Sequence, residues 1–197
     1  QGECMKRSSR KRWAKTIRLP GWDYTSPAWY FVTICTKRHL PFFREIIDGE
    51  MMFSLMGEIA QRYWMEIPAH HVGMALDAYT IMPNHIHGII IVLPKYLHEL
   101  ESKPVETLHA TSLQRSNRNV ANIAPRTGSL SVIIRSYKSA VSRWAHQNGF
   151  QAFGWQPRYY DHIIRTQAFL HRIRTYIAQN PARWSEDKYY PSKVRNQ

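Results

Sequence analysis

Apolar residues recur along this chain with two periods, one near two residues and one near three and a half. Trp29-Tyr-Phe-Val-Thr-Ile-Cys-Thr36 is dense in β-branched and aromatic residues and predicts a first strand, and Lys37 to Asp48 then predicts a loop. Leu55, Ile59, Tyr63 and Ile67 fall at helical spacing, with Ser54 expected as N-cap and Pro68 as the stop. Val72 to Met82 alternates weakly as a second strand. His85 to Val92 follows as a third, and its Ile89-Ile90-Ile91-Val92 end is too short to span a membrane and suits the centre of a sheet. Met82-Pro83-Asn84 interrupts the two strands, where the missing donor of Pro83 favours a hairpin-like turn. Gly128-Ser129 opens a helix whose Leu130, Ile133, Ile134, Tyr137, Val141 and Trp144 form one stripe, ended by Gly149. Phe153 to Arg165 holds the fourth strand. Thr166 opens a last helix that runs through Gln179 to the break at Pro181.

The predicted order is β-α-β-β-α-β plus a final helix. That is an α+β, ferredoxin-like split βαβ layout, an antiparallel sheet with helices on one face and the other face open to a ligand. Residues 19–197 read as one domain, preceded by an arm at 1–18. From about 95 to 126 the sequence turns polar and loses periodicity, as an insertion would.

Composition adds a partner class. Of 197 residues, 27 are Lys or Arg and 14 Asp or Glu, a formal charge of +13, more than solubility requires and suited to a polyanion such as nucleic acid. The arm concentrates the excess: Lys6, Arg7, Arg10, Lys11, Arg12, Lys15 and Arg18 surround Trp13 with no acidic residue among them, so it is either a phosphate-seeking arm or a solvated tail. Cys4 and Cys35 alone make neither a disulfide framework nor a zinc ribbon, which fits a cytoplasmic protein. No apolar run approaches the ~20 residues of a membrane helix, so no membrane partner is expected.

Candidate chemistry lies at two places. His85 and His87, at i and i+2 of a strand, share one face with α-carbons about 6.6 Å apart, so their imidazoles either converge on a cation or are satisfied core residues. On the last helix Tyr176 and Asn180 stand one turn apart beside the stripe Leu170, Ile173 and Ile177. Tyr176 there is either an accessible phenol or a boundary ring, and Asn180 either a ligand or a helix cap. Lys138, Arg135, Arg158 and Arg165 are candidate phosphate contacts. Tyr159 and Tyr160 alternate across a strand, so that one can stack on a base while the other packs. Tyr137 is a lesser candidate nucleophile.

Three ordered motifs, Met82-Pro-Asn-His-Ile-His87, Trp155-Gln-Pro-Arg-Tyr-Tyr-Asp-His-Ile-Ile-Arg165 and Tyr176-Ile-Ala-Gln-Asn-Pro181, resemble those of the single-tyrosine HUH transposases, nearest to the IS200-like, REP-associated tyrosine transposase branch. The likeness runs from about Arg18 to Trp184 and fails in the insertion. It implies cleavage and rejoining of single-stranded DNA at hairpin-flanked sites through a covalent 5′-phosphotyrosine and a free 3′-OH. By that resemblance Tyr176 is the nucleophile, His85 and His87 are the metal-binding pair, and Asn180 is the third ligand of Mg²⁺ or Mn²⁺. The family's members are monomers or homodimers. Two other readings use the same residues: a hairpin-binding protein that does not cut, and a metal-dependent hydrolase in which water attacks.

Overall fold

The computed structural model describes residues 19–47, 50–94 and 128–190, so the basic arm and the polar insertion lie outside it. The first β-branched run forms β1 (Ala28–Cys35). A short hairpin follows, β2 (Arg44–Ile47) with β3 (Glu50–Phe53), at the end of the stretch expected to be a loop. Then come α1 (Leu55–Met65), α2 (Ile67–His70), β4 (Met74–Ile81), β5 (His85–Val92), α3 (Leu130–Gln147), β6 (Tyr160–Ile164) and α4 (Gln167–Gln179). A 3-10 helix, Pro181–Glu186, leaves the end of α4.

Four strands make one antiparallel sheet in the order β4-β5-β1-β6, which is the split βαβ arrangement the pattern predicts. β5 lies between β4 and β1, and its Ile89 and Ile90 are buried on opposite faces, as an all-apolar strand requires. On one face α1 and α3 cover Tyr30, Val32, Ile34, Ile86 and Ile90 with Met56, Ala60, Trp64, Ile133, Tyr137 and Val141. The other face is not left bare. α4 lies on it, burying Leu170 and Ile177 against Phe31, Ile89 and Ile164. Each of these two helix side chains contributes about 2 kcal/mol of burial. Arg174 also donates to both oxygens of Asp77, at 2.9 and 2.6 Å, beside the irregularity in β4 between Leu76 and Tyr79. The helix that carries Tyr176 is thus tied to the sheet at its middle.

Two local expectations are corrected. Ser54 does cap α1, its hydroxyl accepting from Gly57 N at 3.1 Å, but the buried stripe is Met56, Ile59, Ala60 and Trp64, while Leu55 is 55% exposed. Trp64 sets this phase, because its ring lies directly over Gly88 of β5; a Cβ built there would fall 2.2 Å from Trp64 Cζ2. Pro68 does not stop the helical region. It occupies the first turn of α2, where its missing N–H leaves no bond unmade.

Candidate catalytic and metal-binding site

β-strand parity places His85, His87 and Ile89 on the α4 side of the sheet, and Ile86, Gly88 and Ile90 on the α1–α3 side. The Gly88–Trp64 contact therefore presses the histidine strand from behind. Both imidazoles are buried, at 0% and 1% exposure, and their Nε2 atoms stand 3.1 Å apart.

The turn before β5 orients the first ring. Asn84 Nδ2 donates to the carbonyls of His39 (3.0 Å) and Tyr189 (2.7 Å), which fixes the amide so that Oδ1 faces His85 Nδ1 at 2.8 Å. His85 Nδ1 must then carry the proton, leaving a bare Nε2. His87 Nδ1 is 2.8 Å from the Thr33 hydroxyl, a group able to donate or accept. Burial depresses both imidazoles, His87 to about 3, and His85 well below its ordinary range with the neighbouring His87 adding to the effect. They are neutral, and their lone pairs are available at neutral pH.

α4 brings Tyr176 to the same point. Its hydroxyl is 3.1 Å from His87 Nε2, and its ring packs edge-on to Phe31, which stacks in turn on His87. The residue is nonetheless 42% exposed, so a packed ring and an approachable oxygen coexist. Partial burial raises its phenol above 10; the Asn180 amide beside it opposes the rise, and the Asp187 charge adds to it. Asn180 is both the residue that closes α4 and a buried side chain, and its Nδ2 makes no hydrogen bond of good geometry among the described residues.

Beyond α4 the 3-10 helix turns the chain back over the histidines. Trp184 and Tyr189 pack on His85, with ring centroids at 6.0 and 4.8 Å. Asp187, buried between them in sequence, puts Oδ2 4.0 Å from His85 Nε2 while its Oδ1 accepts from Tyr189 N at 2.6 Å. Asp187 is a candidate ligand that sequence reasoning missed. So were Asn84, Thr33 and Phe31 as positioning groups. The signals for Asp187 were faint: an acid in a basic chain, lying past the break at Pro181.

His85, His87 and Asp187 offer ligand atoms within 4.8 Å of one another. Their chemistry fits a divalent cation. An octahedral ion about 2.1 Å from its ligands sets neighbouring donors about 3.0 Å apart, close to the 3.1 Å between the two Nε2 atoms. Asn84 supplies the outer hydrogen bond that ligating histidines need. A cavity of about 290 Å³ lined by Tyr176, Asn180, Arg183, Asp187 and Lys188 opens beside this cluster.

The remaining sequence candidates fall elsewhere. Tyr137 is buried on the opposite face and donates to Ala60 O at 2.9 Å, as a core tyrosine does. Lys138 is engaged within the fold, donating to the carbonyls of Gln156 and Arg158. Tyr159 packs on the α1–α3 core while Tyr160 is exposed. Arg135, Arg158 and Arg165 are exposed. Lys6, Arg7, Arg10, Lys11, Arg12, Lys15 and Arg18 lie outside the described residues.

No protein-family model matches the chain. An uncharacterized protein of Haemophilus influenzae (strain ATCC 51907 / DSM 11121 / KW20 / Rd) is 32% identical over 176 residues, covering 89% of this chain and 92% of its own length. The two proteins belong to one family. Among solved structures, the chain is similar to a REP-associated tyrosine transposase bound to a REP hairpin, with a TM-score of 0.52 and 16% identity over 89% of this chain and 77% of that one. The chain has the tyrosine transposase fold. Within that fold, β5 and α4 are the elements that carry the histidine pair and Tyr176. No helix among the described residues is long and apolar enough to cross a membrane.

Proposed function

We propose that this chain is a cytoplasmic transposase that cleaves and rejoins single-stranded DNA beside hairpins, with Tyr176 as nucleophile and a divalent cation, Mg²⁺ or Mn²⁺, held by His85, His87 and Asp187. The observation that carries the reading is the 3.1 Å from Tyr176 Oη to His87 Nε2, an exposed phenol on α4 beside the two buried imidazoles. In the cleavage step Tyr176 Oη bonds to phosphorus, the P–O3′ bond breaks, the phenolic proton is released and the departing 3′ oxygen takes up a proton. Rejoining is the reverse, with a 3′-OH attacking the phosphotyrosine ester, so no nucleotide cofactor is needed.

A phenol raised above 10 is a poor nucleophile at neutral pH, and the site must favour its attack by position and by charge. A bound cation would polarise the scissile phosphate. Phe31 and His87 hold the tyrosine ring from two sides and fix its line of approach. Lys188 lines the adjoining cavity and offers positive charge to the phosphate, whereas Arg183 there is paired with Glu186. Asn180, placed one turn beyond Tyr176, acts on the phenol oxygen or as a further ligand.

Single-stranded hairpin DNA from the gene's own flanks, incubated with the protein and Mn²⁺ and run on a denaturing gel, tests the reading. The expected result is a covalent protein–DNA band that Tyr176→Phe abolishes while DNA affinity stays nearly unchanged. Cleavage without an adduct would make water the nucleophile. Binding with neither would leave a hairpin-binding protein on this fold.

A further inference from the structure

The contacts around the histidine pair join into one chain of hydrogen bonds whose direction is set at its Asn84 end. Asn84 Nδ2 is spent on two carbonyls, so Asn84 Oδ1 accepts and His85 Nδ1 donates. His85 is neutral, held so by burial, and its one proton is therefore on Nδ1 and its Nε2 is an acceptor. Two bare nitrogens 3.1 Å apart in a buried site would repel, so His87 Nε2 carries the proton that makes this contact a hydrogen bond. His87 is neutral as well, which leaves its Nδ1 bare, and the Thr33 hydroxyl at 2.8 Å must donate to it. Donation thus runs one way, from Thr33 to His87, to His85, to Asn84, and on to the carbonyls of His39 and Tyr189.

That arrangement cannot hold a cation between the rings. A ligating imidazole presents a bare nitrogen, and the nitrogens that face each other here are the two Nε2 atoms. For His87 to present Nε2, its proton must sit on Nδ1 instead, with no change in the charge of the ring. Nδ1 then donates, and the Thr33 hydroxyl has to turn from donor to acceptor. A hydroxyl can do both without moving its oxygen, whereas the Asn84 amide is fixed by the two carbonyls it serves.

Sheet register gives Thr33 this place. On β1 it stands directly opposite His87 of β5, so the two side chains are neighbours on the α4 side. Thr80, which flanks His87 from β4, turns its hydroxyl to Met82 Sδ at 3.9 Å. Thr33 is buried, and its oxygen is held next to the ring by the sheet itself.

We propose that Thr33 is a positioning residue that lets His87 change tautomer: Nε2–H in the cation-free site, closed by the bond to His85, and Nδ1–H when the pair holds a divalent cation. The site is closed on itself until a cation is taken up. His87 also has no lone pair to take the Tyr176 proton in either form, because Nε2 is protonated in the first and engaged in the second. The proposal rests on the reading of His85 and His87 as cation ligands and does not depend on Tyr176 as nucleophile.

The test uses the full chain with its histidines labelled with nitrogen-15, the two rings being assigned from the signals lost in His85→Gln and His87→Gln. Two-bond nitrogen–proton correlation spectra tell a protonated ring nitrogen from a bare one. With a chelator present, His85 should be Nδ1–H and His87 Nε2–H; with saturating Zn²⁺ as a diamagnetic probe, both should be Nδ1–H. Thr33→Val keeps the shape of the side chain and removes the hydroxyl, and Thr33→Ser keeps the hydroxyl. The bond donated by a ring that bears a cation is charge-assisted and stronger than its neutral counterpart, so its loss falls mainly on the loaded state. Thr33→Val should weaken Mn²⁺ binding, measured by calorimetry without DNA, about 10- to 100-fold, while its cation-free spectrum still shows His87 as Nε2–H. Thr33→Ser should stay within about threefold of the wild type. His87 found as Nδ1–H in the cation-free protein, or equal affinities in Thr33→Val and Thr33→Ser, would overturn the proposal. If the wild type binds neither ion at the pair, the cation reading fails and the switch with it. If it binds both and Thr33→Val binds them as well, the cation reading stands and the switch alone falls.

Discussion

Lowering the pH should destabilise this protein through its own histidine pair. In the folded chain His85 and His87 are buried and neutral, with His87 depressed to about 3 and His85 well below its ordinary value, in both cases chiefly because burial disfavours the charged ring. Released by unfolding, each titrates near 6.5. A depressed folded value means stability that is fully present above about 6.5 and is lost as pH falls from there toward about 3, because only the unfolded state binds the proton. Between pH 7 and pH 5 each unfolded histidine takes up about 0.7 of a proton that the folded site refuses. The loss is about 2 kcal/mol for His87, a sizeable share of the roughly 5–15 kcal/mol that holds a typical domain, and His85 adds to it in the same direction. His39 and His71 are depressed as well, so the pair is isolated by comparing variants, not by the wild-type curve alone. The assay is urea unfolding at pH 7, 6 and 5 with a chelator present. His87→Gln should flatten the pH dependence by about 2 kcal/mol, and the double variant with His85→Gln should flatten it further, whatever their stability at pH 7. A double variant that loses as much stability on acidification as the wild type would refute the claim that the two imidazoles are held neutral.

The third ligand is tested by metal titration of cleavage: His85→Ala or His87→Ala should abolish the Mn²⁺-stimulated reaction, and Asp187→Asn should raise the half-maximal Mn²⁺ concentration more than Asn180→Ala does. The opposite order would return the third position to Asn180. Gly88→Ala should destabilise the fold by about 1–3 kcal/mol or more in urea unfolding, since the new methyl meets the Trp64 ring, and Trp64→Phe should recover part of the loss. Removing residues 1–18 should lower the salt slope of DNA binding by about 0.7 for every single-strand phosphate that the arm neutralises. An unchanged slope would make the arm a bystander.

Periodicity carried most of the fold because most elements here bury one clear face. β1, β5 and α3 are read correctly from β-branched density or a 3.6-residue stripe, and Ser54 and Thr166 mark helix starts because their hydroxyls accept from Gly57 N and Phe169 N. The errors fall where neighbouring stripes compete. In α1, Leu55-Ile59-Tyr63 and Met56-Ala60-Trp64 are adjacent lines on the same helix with Ile59 buried between them, and the buried face centres on the second because Gly88 leaves room for an indole on β5. Nothing local to α1 announces that choice. The β2–β3 hairpin is four residues per strand and packs as an appendage, below the length at which alternation becomes legible.

The site was legible to the extent that its parts lie within one element. Strand parity joins His85 to His87 across two residues, and helix geometry joins Tyr176 to Asn180 across four, so both pairs can be read from spacing. What connects one pair to the other cannot. The contact of Tyr176 with His87 spans 89 residues, that of Thr33 with His87 spans 54, and that of Asn84 with Tyr189 spans 105. Each depends on sheet register or on how the chain turns after Pro181. That turn is the least patterned described segment near the site, yet it delivers Asp187 and packs Trp184 and Tyr189 over His85. Asp187 is therefore readable only in three dimensions, and because Trp184 and Tyr189 pack on His85 and Tyr189 N donates to Asp187, substitutions at either ring should shift metal affinity in a titration of Mn²⁺ binding by way of Asp187.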